Sequence, residues 1–183
     1  MITLKLDWNC IIALENGEVD GKYVARLIDA FEGGLLDVAV TSVSAAENMP
    51  REVWETKRYE TFEKRLAKVG LSARKAVAAP AVIGRSFIGS SVIQSVEDVE
   101  LYEKIRKIVA PQLDRSGALM SEKKRTNLFC DASTLHAHML SGRDVFVTNN
   151  VRDFQRKIGE LKALGVKEIL TPKEAVEKYL SEN

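Results

Sequence analysis

A chain of 183 residues with 45% hydrophobic and 29% charged side chains has ordinary globular composition and can bury roughly 70% of its unfolded surface in one domain, which excludes a disordered or disulfide-dependent class. No run of about 18 apolar residues occurs and the first residues already alternate as a strand, so neither a membrane span nor a signal peptide is expected, and a cytoplasmic location is the default. The formal charge of +1 hides an uneven distribution: residues 1–50 carry three basic and eight acidic side chains, residues 51–75 eight basic and four acidic.

Strands and helices alternate along the chain. Ile2 to Asp7 has period two, and 21–32 places Tyr23 or Val24, Leu27, Ile28 and Phe31 at helical spacing before Gly33-Gly34 stops it. Leu35 to Val43 is an apolar, β-branched run suited to a buried strand, and Ser44-Ala-Ala-Glu47 opens a short helix that Pro50 limits. Helices follow at about 54–69 and 97–110, separated by a Gly/Ser/Pro-punctuated stretch, Ala78 to Ser95, whose short Val/Ile runs suit strands. A helix near 121–140, a strand Asp144 to Thr148, a helix from about 153 to 164, a strand Val166 to Leu170 and a closing helix with Pro172 in its first turn complete the chain. The repeated βα order predicts an α/β fold in three layers, α/β/α, with a mostly parallel central sheet.

In such a sheet, ligands lie at the carboxyl ends of the strands. Asp7, Glu47, Asp131 and Asp153 all fall at predicted strand exits or helix starts, and four acids converging there would suit Mg²⁺ or Mn²⁺, hard ions that take oxygen ligands and leave positions free for a phosphate. The plainer reading of each acid is a cap: Ser44-x-x-Glu47 is a capping-box pattern, Asp131 and Asp153 have the placing of N-caps, and Asp7 ends a strand. Their coincidence, rather than any one of them, points to a metal-dependent nuclease.

The remaining polar residues carry less. Lys57, Arg58, Lys64, Arg65 and Lys68 form either a polyanion track or, interleaved with Glu60 and Glu63, a salt-paired solvated helix face. Lys123, Lys124 and Arg125 just before Asp131, with Arg152, are candidates for phosphate contacts, and Arg85, Arg143 and Arg156 are weaker ones. His136 and His138, two apart on a helix, do not share a face, so a two-histidine metal site is not expected and one of them should face solvent. Cys10 and Cys130 read as buried thiols, and Trp8 and Trp54 as core or interface aromatics.

Five motifs in order resemble the PIN-domain family, the nuclease fold of the toxin half of VapBC toxin–antitoxin pairs and of stand-alone ribonucleases. Leu6-Asp-Trp-Asn9 resembles the opening Asp motif and Val43-Ser-Ala-Ala-Glu47 the second acidic motif. Asp131-Ala-Ser-Thr-Leu-His-Ala-His resembles the helix of the third acid, Val147-Thr-Asn-Asn-Val-Arg-Asp-Phe154 the polar strand exit, and Ile169-Leu-Thr-Pro-Lys-Glu-Ala-Val176 the closing strand and helix. The resemblance covers nearly the whole chain as one PIN-like domain, 1–183, with a mostly helical extension at about 55–125. It implies a Mg²⁺- or Mn²⁺-dependent endoribonuclease in which Asp7, Glu47 and Asp131 are catalytic metal ligands, Asp153 or else Asn150 completes the site, and water is the nucleophile. Asn9, Thr148 and Asn150 would order those ligands, Asn150 standing where many members have Asp. RNA as substrate, an antitoxin-type partner and a homodimer are further implications. The alternative from another class is a non-catalytic PIN-like module that binds RNA or protein and keeps its acids mainly as caps. A phosphoacceptor receiver domain, which would want a lysine at a late strand end, is disfavoured by Val147-Thr-Asn-Asn150.

Overall fold

The computed structural model describes residues 1–46, 55–71, 76–80, 91–115 and 120–181. Strand β1 (Ile2–Leu6) runs without a turn into helix α1 (Trp8–Glu15), because Asp7 ends the strand and caps the helix, its carboxylate accepting from Trp8 N at 2.8 Å. Helix α2 (Gly21–Glu32) packs so closely on α1 that a Cβ on Gly21 would meet the Ala13 carbonyl oxygen at 2.6 Å. After Gly34, in the left-handed region at φ +73°, strand β2 (Leu36–Ala39) begins, and a 3-10 turn (Ser42–Ala46) follows it.

Helix α3 (Glu55–Lys68), strands β3 (Ala79–Pro80) and β4 (Ser91–Val92), helix α4 (Val96–Val109) and the short α5 (Gln112–Arg115) form the extension. The long α6 (Glu122–Leu140), capped by Ser121, leads into β5 (Val145–Val147). Two short helices, α7 (Val151–Gln155) and α8 (Ile158–Ala163), precede β6 (Glu168–Leu170). The closing α9 (Pro172–Tyr179) starts at a reciprocal Thr171/Glu174 capping box.

The central sheet is four-stranded and wholly parallel in the order β2-β1-β5-β6, with helices on both faces, so the predicted α/β layering holds. β3 and β4 pair separately, also in parallel. Alternation along β1 assigns the faces. Leu4 and Leu6 enter one core with Val24, Leu27, Ile28 and Phe31 of α2 and with Val176 of α9, whereas Lys5 points to the opposite face beneath α6. That second face is filled by Phe146, Leu135, Ile105, Phe154, Leu161 and Ile169.

The elements depart from expectation in instructive places. The strand expected over Leu35 to Val43 stops at Ala39, and the helix expected from Ser44 is the 3-10 turn. The single helix expected over 153–164 is two, broken where Lys157 N turns back to the Phe154 carbonyl at 2.9 Å. Asp131 is no N-cap: it lies in the middle of α6, nine residues into the helix that Ser121 caps. Asp153 is no N-cap either, since Asn150 precedes the first residue of α7. Both histidines are buried rather than one, His136 edge-on to Tyr102 of α4 and His138 tilted on Phe146 of the sheet, because α4 covers the face of α6 that would otherwise meet water. Among the described residues no helix is long and apolar enough to cross a membrane.

Candidate metal centre

The chain passes from β1 outward to β2, then crosses back beyond β1 to β5 and on to β6, so the strand order reverses between β1 and β5. A crevice opens at the carboxyl ends of strands flanking such a reversal. Asp7 leaves β1 and Thr148 leaves β5 at that place, and the backbone is laced across it by Asp7 N to the Val147 carbonyl at 2.8 Å.

Three donors converge on the Asp7 carboxylate. Trp8 N donates to Oδ1 at 2.8 Å, while Asn9 Nδ2 and the Thr148 hydroxyl each donate to Oδ2 at 2.7 Å. Thr148 Oγ1 in turn accepts from Asn9 Nδ2 at 3.0 Å and from Asn150 N at 3.1 Å, and Asn9 Oδ1 accepts from Asn149 N at 3.1 Å. Trp8 N and Asn9 Nδ2 can only donate, so the Asp7 carboxylate accepts from both whatever the orientation of the Thr148 hydroxyl. Asp7 is 7% exposed, and burial pushes its carboxyl up from the usual range; the Thr148 and Trp8 hydrogen bonds, the field of Lys5 and the Asn9 bond pull it down again, but the net direction is up.

The donor chemistry fits a hard divalent cation. A carboxylate offers about four lone-pair positions, and three are used here, so Oδ1 keeps one for an outside cation. The Asn149 side-chain oxygen is buried without a partner among the described residues, and its amide nitrogen, held 3.4 Å from the Asn9 carbonyl, keeps that oxygen pointing away from Asn9. A free lone pair on a buried carboxylate is a position that a hard cation such as Mg²⁺ or Mn²⁺ can use.

Asp131 reaches the same edge by way of α6. Cys130 lies against the Val43 carbonyl of the 3-10 turn, the Thr134 carbonyl accepts from Lys5 of β1, and His138 rests on Phe146 of β5. The helix therefore crosses the sheet face from its carboxyl edge downward, antiparallel to the strands. Asp131, Thr134, Leu135 and His138 share its inward row, being three, four and seven apart. Asp131 is half-buried and lies one helical turn before Thr134, whose carbonyl is tied to Lys5, two residues before Asp7.

Of the remaining expected site residues, Glu47 lies outside the described residues. Asp153 is the third residue of α7, just beyond the exposed Asn150, and its side chain lies outside the description. Among the described residues no group of three or more His, Cys, Asp or Glu side chains is gathered for a metal. Lys123, Lys124, Arg125 and Arg152 are all exposed, as are Lys104 and Lys107 near the end of α4 and Arg156 after α7. Lys157 ties the end of α4 to the start of α8 through the Val109 carbonyl at 3.1 Å. Arg143 is not among the exposed cations. It bonds the Leu4 carbonyl at 3.0 Å and pairs with Asp37 at 3.0 Å away from the crevice, toward the amino ends of the strands. In α3, Arg65 is held by Glu15 and stacks 4.6 Å over the Trp8 ring, a packing role rather than a phosphate contact. Lys64, Lys68, Glu60 and Glu63 are exposed on the same helix, as a solvated charged face would have them, while the Lys57 and Arg58 side chains and Trp54 and Arg85 lie outside the description.

Sequence reasoning missed Lys5 and Asn149. A lysine alternating with leucines on an interior strand was a readable signal for the first; the second gave none, since its role depends on Asn9 across the strands.

No protein-family model, curated protein or solved structure matches this chain. The functional reading therefore rests on its own residues and their geometry.

Proposed function

We propose that the chain is a Mg²⁺- or Mn²⁺-dependent endoribonuclease of PIN-like type, cutting RNA phosphodiester bonds in the crevice between β1 and β5. The observation that carries this reading is the Asp7 network: a buried carboxylate held as an acceptor by three donors, at the reversal of strand order, with a free lone-pair position. A cap needs only one such bond; three are a means of fixing a ligand.

Asp7 and Asp131 would hold the cation, and Glu47 and Asp153 belong to the same proposed set. When bound, the cation would supply Lewis acidity toward a scissile phosphate and a low-pKa water. The protein's own residues do the rest. Asn9 and Thr148 fix the rotamer of Asp7, so its remaining lone pair keeps one direction. Asn150, exposed at the end of β5 and bonded through its N–H to Thr148, fixes the start of α7, and with it Asp153 and Arg152. The cations of α6, α4 and α7 would meet the RNA backbone, giving affinity without reading sequence. An antitoxin-type partner and a homodimer remain part of the proposal by the motif resemblance alone.

The test is metal binding before catalysis. Mn²⁺ should raise the melting temperature of the wild type and leave Asp7→Asn unmoved, since a ligand at 100 times its Kd contributes about 2.7 kcal/mol. Equal shifts in both proteins would remove Asp7 from the site.

A further inference from the structure

Lys5 has no explanation in packing. It sits on an interior strand, is 0% exposed, and lies on the face that α6 covers. Placing an ammonium there is costly, and an apolar side chain of similar length is the more stable choice for such a position. Burial accordingly holds its pKa well below the usual lysine range.

What the lysine does is specific. Its Nζ donates to the main-chain carbonyl of Thr134, inside α6. That oxygen is already committed to the helix, so the bond uses its second lone pair. Ser133 Oγ, Thr134 Oγ1 and His138 Nδ1, in the same two turns, are buried without partners among the described residues, so the side chains of this stretch do not take over the tie. Lys5 is two residues before Asp7 on the same strand face, and Thr134 is one turn after Asp131 on the same helix row. The bond therefore closes a short rigid path from one acid to the other: strand, lysine, helix turn.

We propose that Lys5 is a positioning residue of the metal centre, clamping the α6 turn that bears Asp131 to the strand that bears Asp7 and so setting the separation across which the two carboxylates share a cation. This rests on the metal-site reading above and adds to it a residue that touches neither cation nor RNA. A lysine supplies a donor at the end of a four-carbon stem, the length needed to cross from a strand to the main chain of an overlying helix.

The experiment measures Mn²⁺ affinity of metal-free protein by calorimetry for wild type, Lys5→Met, Asp131→Asn and the double variant, with circular dichroism and melting temperature recorded first. Lys5→Met should melt at or above the wild-type temperature and bind Mn²⁺ at least tenfold more weakly. In the Asp131→Asn background the same change should cost little further affinity, because the clamp acts through Asp131. Lys5→Gln, which keeps a shorter uncharged donor, should fall between wild type and Lys5→Met, and supplies the comparison if the methionine variant does not fold. Wild-type affinity in a folded Lys5→Met, or full additivity in the double variant, overturns the clamp while leaving the metal centre standing. Absence of Mn²⁺ binding by the wild type overturns both.

Discussion

Thr148 shows how much one hydroxyl is asked to do. It donates to Asp7 and accepts from Asn9 and from the Asn150 backbone, a full complement for one oxygen, and it is 0% exposed. Valine has the same shape and none of these bonds. Thr148→Val should therefore remove a buried donor to Asp7 and an acceptor for Asn9 and Asn150 N, and cost about 1–3 kcal/mol in urea unfolding, whereas Thr148→Ser should stay close to wild type. A valine variant as stable as wild type would mean the network is not what holds Asp7. The same residue marks a limit of sequence reading. That Asp7, Asn9 and Thr148 belong together was implied by the motif resemblance; that three donors meet on Asp7, and that the Asn149 oxygen is left without a partner among the described residues, follows from pairing β1 beside β5, which no local pattern encodes.

Helix α6 carries Asp131 and a buried histidine with a strongly lowered pKa. His138 is buried against Phe146, and burial, followed by the fields of Lys5, Arg143 and Lys167 and opposed by Asp144, holds its pKa down to about 3. An unfolded histidine takes its proton near pH 6.5, so between about pH 6.5 and 3 the unfolded state binds more protons than the folded one. Stability is thus fully present above that window and falls as the pH drops through it, by up to roughly 5 kcal/mol at about 1.4 kcal/mol per unit. His138→Leu should flatten the acid limb of the stability curve measured by urea titration at successive pH values; an unchanged slope would mean that His138 is charged in the native protein. The length of α6 was readable from its periodicity and Ser121, but the burial of both histidines was not. It depends on α4 packing along α6, and residues 96–109 give no sequence sign of which partner they cover. Helix α1 was missed for the converse reason: a strand and a helix meeting at Asp7 leave no turn residues to announce the change.

Among the described residues, the near-neutral charge resolves into a buried Asp7 carboxylate between β1 and β5 and exposed cations on α4, α6 and α7. Within the basic segment 51–75, conspicuous in the sequence, Arg65 is held by Glu15 and lies over the Trp8 ring. In the proposed reading the exposed Lys123, Lys124 and Arg125 of α6 are the phosphate partners. Reversing Lys123, Lys124 and Arg125 to Glu should weaken RNA binding across all sequences and lower the slope of log affinity against log salt by about 0.7 to 0.9 for each phosphate no longer neutralised. Reversing Lys64 and Lys68 should change the slope little, and the opposite ranking would place the RNA on α3. The parallel order of strands and the two-faced layering were legible from βα alternation; the reversal of strand order, which makes the crevice, was not, since it is set by which side of β1 the chain returns to after the extension.

The most direct test of the nuclease is cleavage of a mixed-sequence structured RNA by wild type and by Asp131→Asn of matched circular dichroism, each with Mn²⁺, with Mg²⁺ and with EDTA. The proposed reading predicts cutting by the wild type with either cation, none with EDTA, and none by the variant. Cutting that survives EDTA, or an Asp131→Asn protein as active as wild type, would contradict it.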